Sequence, residues 1–303
     1  MTELTEFQSK ISAFLPNIRL SFNEPMSKRT SFRIGGPAEV MVFPQNPQEL
    51  SEILKVSALL DTVPAIIGAG TNILAPDEGL EGLTICLKDA LSGIEQLDET
   101  HIRVYAGVTM TKAAVFAANI GLSGMEFAHG IPGTVGGGVY MNAGAYGGEI
   151  KDICQSVDVM APDGELHTYT AGEMEFSYRH SRLEDEKGIV VSAVFALHPE
   201  APKKIREKMQ ELAAKRKASQ PLDKPSAGSA FKRPVGGYAA ALIENAGLKG
   251  YQVGGAAVSE KHAGFVVNLG GATAEDVKAL LKQVSDIVYE KSEIRLEPEV
   301  RIW

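Results

Sequence analysis

Five short stretches of this chain carry residues that could do chemistry. Gly68-Ala69-Gly70-Thr71-Asn72 follows the apolar run 64–67 directly. A turn of this kind gathers backbone N–H groups, a hydroxyl and an amide, a set that suits a pyrophosphate without a helix dipole. An ordinary strand-end turn has the same composition. Residues 132–149, PGTVGGGVYMNAGAYGGE, hold seven of the chain's 31 glycines. Glycine loses the most backbone entropy on folding, so the run is either a linker or backbone that must approach something closely. Val135, Val139, Tyr140, Met141 and Tyr146 are too large and apolar for a Gly/Ser linker, and the run reads as an ordered loop. Tyr178, Arg179 and Ser181 stand together in 175–183. A guanidinium there can hold a carboxylate through two parallel hydrogen bonds, or close a surface ion pair. Ser229 lies between Gly228 and Ala230, with Lys232 and Arg233 just beyond. Small neighbours let a ligand reach the hydroxyl, and the two cations suit phosphate; a plain turn with solvated charges fits the same residues. In 292–303, Arg295, Glu297, Glu299 and Arg301 alternate with Ile294, Leu296, Val300 and Ile302. This spacing predicts a strand with one polar face, which Pro298 places at an edge or interrupts.

Regular elements must hold these stretches in place. Residues 38–43, 64–67 and 83–87 read as strands around a helix over 46–61, with Asn46 as cap and Pro47 at its first position. Residues 101–108 alternate as a strand, and a helix near 111–120 ends at Gly121. After the glycine run, 157–160 and 165–169 flank Pro162-Asp163-Gly164, a hairpin signal. Residues 188–197 read as a buried strand. The composition then shifts: residues 198–221 carry a basic amphipathic helix, with Ile205, Met209, Leu212 and Ala213 at helical spacing. A second long helix over 273–291 has Thr273 and Asp276 as a capping box and Val277, Leu280, Leu281, Val284 and Val288 as its apolar stripe.

Length and composition bound the functions. A chain of 303 residues exceeds one typical domain, and 44% hydrophobic residues can fill a sizeable core. The formal net charge of −8 argues against general nucleic-acid binding. No window approaches ~18 consecutive apolar residues, so no membrane span is expected. The N-terminal residues lack the charged-then-apolar order of a signal peptide. Cys86 and Cys154 lie in apolar runs and read as buried free thiols of a reducing compartment, the cytoplasm. No Cys/His spacing suggests zinc, and no metal is expected. A dinucleotide fingerprint starting at Gly68 fails. Its third glycine would fall on Ile73, and LAPDEG after it contains Pro76 where a helix should begin.

Seven stretches occur in an order that carries more than any one of them: RTSFRIGGPAE, GAGTNIL, IPGTVGGGVYMNAGAYGGE, FSYRHSRL, PSAGSAFKRP, GGAAVSEKHAGFVVN and LEPEVR. Together, from about residue 22 to the C-terminus, they resemble the UDP-N-acetylenolpyruvoylglucosamine reductase (MurB) family. The resemblance implies an α+β chain: a two-subdomain FAD-binding fold of the p-cresol methylhydroxylase/vanillyl-alcohol oxidase type, then an α+β substrate-binding domain. The implied division is an N-terminal helical segment 1–21, FAD-binding subdomains 22–88 and 89–199, and a substrate-binding domain 200–303. A tyrosine-bearing insertion before the third domain is missing, as in the shorter type of this family.

The resemblance also implies a reaction. NADPH reduces non-covalently bound FAD, which reduces the enolpyruvyl ether of a UDP-sugar to UDP-N-acetylmuramate for peptidoglycan synthesis. Arg179 would hold the substrate carboxylate, Ser229 would donate the proton, and Glu299 would polarise the carboxylate region; Glu297 shares its expected strand face. FAD contacts are implied at Gly68, Ala69, Gly70, Thr71, Asn72, Ile131, Pro132, Gly133, Thr134, Val135, Gly136, Asn142, Gly144, Ala145, Gly148 and Arg301. Substrate or nicotinamide-phosphate contacts are implied at Tyr146, Tyr178, Lys232 and His262, the last also readable as structural. Arg233 stands where relatives often carry Asn. A small-molecule UDP-sugar is the expected partner, with no nucleic acid or membrane, and the chain is expected to be a monomer. A flavin oxidase acting on an alcohol or sugar, and a non-catalytic nucleotide-sugar binder, are the alternatives.

Overall fold

Capping side chains start many of the helices. In the computed structural model, which describes residues 4–303, the helices are α1 (Glu6–Phe14), α2 (Pro47–Leu59), α3 (Met110–Asn119), α4 (Val135–Tyr140), α5 (Leu183–Glu186), α6 (Pro202–Ser219), α7 (Ala239–Asn245) and α8 (Ala274–Ser292). Thr5, Asn46, Thr109, Thr134 and Thr273 each sit extended before a helix and accept the N–H three residues on. This satisfies a donor that the first turn would otherwise leave unpaired. The capping box expected at Thr273 and Asp276 is present in both directions. Within the N-terminal segment 1–21, expected to be helical, α1 covers Glu6–Phe14 and a strand begins at Arg19; residues 1–3 lie outside those described.

The chain folds as two compact units, each discontinuous in sequence. The first takes the residues up to Phe22, Glu39–Ala69 and Gly82–Ala214; the second takes Asn23–Ala38, Gly70–Glu81 and Lys215–Trp303. In the first unit a five-stranded antiparallel sheet runs in the order Leu166–Thr170, Cys154–Met160, Ile189–Ala196, His101–Tyr105, Ile94–Gln96. Its central strand, Ile189–Ala196, is buried at every residue but the last, as a run apolar at every position but Ser192 predicts. The Pro162-Asp163-Gly164 turn joins two antiparallel strands, with Gly164 at φ 85°. Ala65–Ile67 and Leu80–Cys86 pair in parallel within a second, four-stranded sheet. Cys86 and Cys154 are free and buried, and burial pushes the Cys154 thiol up to about 12, leaving it protonated and unreactive at neutral pH.

In the second unit an antiparallel sheet of order Ser226–Ser229, Phe265–Asn268, Ala256–Val258, Gln252–Val253 shares a core with α7 and α8. The two short excursions, 23–38 and 70–81, lock together through glycines. A Cβ on Gly36 would lie 2.3 Å from Asp77 O, and one on Gly79, at φ 97°, would lie 2.1 Å from Pro37 O. The Asp77 carboxylate then accepts the N–H groups of Ala274 at 2.9 and 2.8 Å and of Glu275 at 3.4 Å. It caps α8 from a residue nearly two hundred positions away. Asp77→Ala should cost about 1 kcal/mol or somewhat more, a fall in Tm of roughly 2–4 °C for each kcal/mol at this size. An unchanged melting curve would show that Thr273 alone suffices as cap.

Two local expectations change. The strand expected over 292–303 shrinks to Arg301–Ile302, which pairs in parallel with Ile73–Leu74. Pro298 forms only an isolated bridge with Phe231, so it interrupts the strand. The glycine run expected as a loop contains α4. Gly136 and Gly138 allow this, because a Cβ at either would sit 2.8 Å from the Ala106 Cβ or the Met110 Sδ. These glycines let a short helix lie against its neighbours.

Candidate active site

In the first unit the two glycine segments meet. A Cβ on Gly68 would come within 2.4 Å of the Thr134 hydroxyl, so the turn after 65–67 packs directly onto the Thr134 side chain at the start of α4. The segment is fastened from behind: Met110 N–H donates to Gly133 O, Val135 N–H to Val108 O, and Gly136 N–H to Ala106 O. Val135 and Gly136 therefore offer a ligand shape rather than donors. On the other side Pro132 and Gly137 are exposed, and a Cβ at Gly137 would meet only the Thr134 hydroxyl, at 3.8 Å. This bare backbone is a cradle that any larger residue would begin to fill, and it fits a flat, phosphate-bearing cofactor such as FAD. Ile131 and Gly133 are half-buried beside it, and Ala69 ends this unit's share of the first turn.

Two tight turns follow. Gly144–Ala145 pairs antiparallel with Gly148–Glu149, and Tyr146-Gly147 forms the tip, both at positive φ (54° and 88°). That is the two-residue hairpin turn in which Asn or Gly is usual at the first position. Tyrosine there is displayed, 45% exposed, at the cost of a left-handed backbone. In the second turn, Ser177 and His180 exchange backbone hydrogen bonds of 3.1 and 3.3 Å around Tyr178-Arg179. Arg179 is at φ 56°, where glycine would be at ease, and its guanidinium carbon lies 5.1 Å from the Tyr178 ring centre. Tyr178 is exposed. Glu149 stands near this turn. The Lys151 ammonium first, then the Asn142 amide and the Arg179 charge, hold its carboxyl below the usual range.

In the second unit three distant stretches converge. Ala230 N–H donates to Gly264 O, Glu299 N–H to Ala230 O, and Lys232 N–H to Glu297 O. Ser229 and Glu299, seventy residues apart, are thereby set on neighbouring chain segments. Ser229 is exposed at the end of its strand, opposite Phe265, and Gly228 before it, at φ 79°, has open space where a Cβ would stand. Asn72 brackets the same segment, with Nδ2 donating to Glu299 O at 3.2 Å and its carbonyl accepting Arg301 N–H at 3.0 Å. Gly70, at φ 61°, packs onto Arg29 O, and Thr71 lies between it and Asn72. Lys232 pairs loosely with exposed Glu297 at 3.5 Å, and Arg233 stacks over Tyr238, 4.3 Å from the ring centre. Burial pushes His262 below the ordinary histidine range. Its Nδ1 accepts Gly264 N–H, so its proton sits on Nε2, and its ring makes a T-shaped contact with Phe265.

The expected residues thus form two groups. Gly68, Ala69, the 131–148 residues, Tyr178 and Arg179 belong to the first unit, and Gly70–Asn72, Ser229, Lys232, His262, Glu299 and Arg301 to the second. Reading the sequence missed Glu149 and Ser177, which hold the turns of the first unit, and Gly35-Gly36, which pack closely within the second. Only the paired glycines of RIGGP signalled a close approach.

Comparison with known proteins accounts for nearly all of the chain. Residues 38–170 match the family described as FAD binding domain. Residues 220–303 match that described as UDP-N-acetylenolpyruvoylglucosamine reductase, C-terminal domain. The UDP-N-acetylenolpyruvoylglucosamine reductase of Latilactobacillus sakei is 46% identical over 302 residues, covering 97% of each chain. That of Syntrophomonas wolfei is 45% identical over 294 residues, covering 97% of this chain and 98% of its own. The crystal structure of UDP-N-acetylenolpyruvylglucosamine reductase (MurB) from Thermus caldophilus superposes with a TM-score of 0.79 at 34% identity, covering 95% of this chain and 99% of that one. The α+β architecture with an FAD-binding domain, expected from the sequence, is the one found. The chain belongs to the UDP-N-acetylenolpyruvoylglucosamine reductase family.

Proposed function

We propose that this protein reduces the enolpyruvyl ether of UDP-N-acetylglucosamine to UDP-N-acetylmuramate, using NADPH and bound FAD, for peptidoglycan synthesis. The observation that carries this reading is the match, over 97% of the chain, to relatives named for that activity. When bound, FAD would supply the hydride chemistry that links NADPH to the unsaturated ether. The glycine cradle at Gly68 and Thr134–Gly137 would hold it without a covalent bond.

The chain's own residues have three tasks. As hydride reaches the vinyl carbon, negative charge grows on the carboxylate oxygens of the substrate. Arg179 meets that charge with a two-pronged donor, as an oxyanion hole does. The proton required on the adjacent carbon comes from Ser229, whose exposed hydroxyl stands next to open space at Gly228. Glu299, on the segment beside Ser229, polarises the carboxylate region. Tyr146 and Tyr178 at the turn tips, with Lys232 and His262, contact the substrate or the nicotinamide nucleotide. We assign substrate holding to 200–303 and flavin holding to 22–88 and 89–199. We take the enzyme to be a cytoplasmic monomer that binds neither nucleic acid nor membrane; among the described residues no helix is long and apolar enough to cross a membrane.

The test uses the purified holoprotein under anaerobic conditions. It should be yellow, be bleached by NADPH, and regain colour on adding the UDP-enolpyruvyl sugar. A protein that NADPH bleaches but this sugar does not reoxidise would overturn the reading and favour an oxidase.

A further inference from the structure

We infer that Asn142 is a positioning residue for Arg179. The proposal rests on the reading of Arg179 as the carboxylate-binding group and gives the Asn142 side chain a role other than the cofactor contact expected from the resemblance. Asn142 is 1% exposed. Its Nδ2 donates to Ser177 O at 2.9 Å and to Glu149 Oε2 at 3.0 Å, while its Oδ1 accepts Lys151 N–H at 3.0 Å. Both donors face acceptors and the carbonyl faces a donor, so only one orientation of the amide satisfies the site. Ser177 opens the turn that carries Arg179, and Glu149 closes the hairpin that carries Tyr146. Asn142 thus joins two turns with left-handed tips. Ser181, fully buried, adds a second tether from its hydroxyl to Tyr140 O at 2.8 Å. A left-handed arginine persists only where its surroundings over-determine it, and these side chains do so. Asn142 is itself left-handed, at φ 42°, a conformation that asparagine adopts more readily than most residues.

The test is a double-mutant cycle read on the two half-reactions. Asn142→Gly removes the side chain and keeps the left-handed backbone. Reoxidation of the flavin by the UDP-enolpyruvyl sugar should slow about 10- to 100-fold, while reduction by NADPH stays within about twofold. In an Arg179→Ala background the same change should slow reoxidation less than twofold, because the group it positions is gone. Equal slowing in both backgrounds, or equal loss in both half-reactions, would overturn the proposal. Asn142→Asp, which keeps shape and acceptor but turns a donor into a second carboxylate oxygen beside Glu149, should reproduce the selective loss if the glycine variant fails to fold. Hydrogen exchange of the peptide 176–182 reads the tether without any substrate. It should quicken in either variant while the central strand 189–196 stays protected, and unchanged exchange overturns the proposal even if the parent enzyme turns over normally. A parent that the sugar does not reoxidise would instead sink the functional reading, and exchange would still report on the tether.

Discussion

Ser229→Ala will leave reduction of the flavin by NADPH within about twofold of the parent and slow reoxidation by the enolpyruvyl substrate by roughly 10²–10⁴, the usual contribution of a positioned proton donor. The asymmetry follows from the chemistry. Hydride transfer from NADPH needs no proton at substrate carbon, whereas reduction of the ether is incomplete without one. The substitution is mild for the fold. Ser229 is exposed at a strand end, and the residues on either side are glycine and alanine. Its strand is held through the main chain, by Ala230 N–H to Gly264 O and by Glu299 N–H to Ala230 O. The thermal midpoint should therefore stay within a degree or two of the parent, and anaerobic stopped-flow absorbance separates the two steps. Equal damage to both would mean that Ser229 shapes the flavin environment and donates no proton.

The second large effect is at Arg179. Arg179→Lys keeps a positive charge but loses the planar fork that matches a carboxylate. We expect reoxidation to fall 10²–10³-fold, about 3 kcal/mol of transition-state stabilisation, with flavin reduction again spared. Arg179→Gly makes a sharper comparison. Arg179 occupies a left-handed turn position at φ 56° that suits glycine, so this variant should be as stable as the parent or slightly more so while reoxidation collapses. A glycine variant that is clearly less stable would place Arg179 in the structure rather than the reaction.

Much of the fold was legible because it is local. Asn46-Pro47 and Thr273 through Asp276 start helices by side-chain bonding within four residues, and the apolar run at 189–196 marks a strand buried on both faces. Other local expectations gave way to packing. The strand period over 292–303 was real in the sequence, yet Pro298 removed a donor and only Arg301–Ile302 found a partner strand. The glycines of 136–138 read as part of an ordered loop, yet close packing on Ala106 and Met110 accommodates a short helix there.

By itself the sequence determined the residue types the reaction needs, the order of the motifs and hence the family, because that information resides in short stretches of side chains. Tertiary structure alone decided which stretches belong together. Residues 23–38 and 70–81 join the C-terminal segment because glycines allow backbone contact and because Asp77 caps a helix far along the chain. Ser229 comes beside Glu299 through one N–H donated to Ala230 O. Asn142 reaches the turn of Arg179 through a single amide buried from water. These are main-chain and buried polar contacts between residues far apart in sequence. Each is set by the path of the folded backbone, which no local spacing of side-chain types encodes.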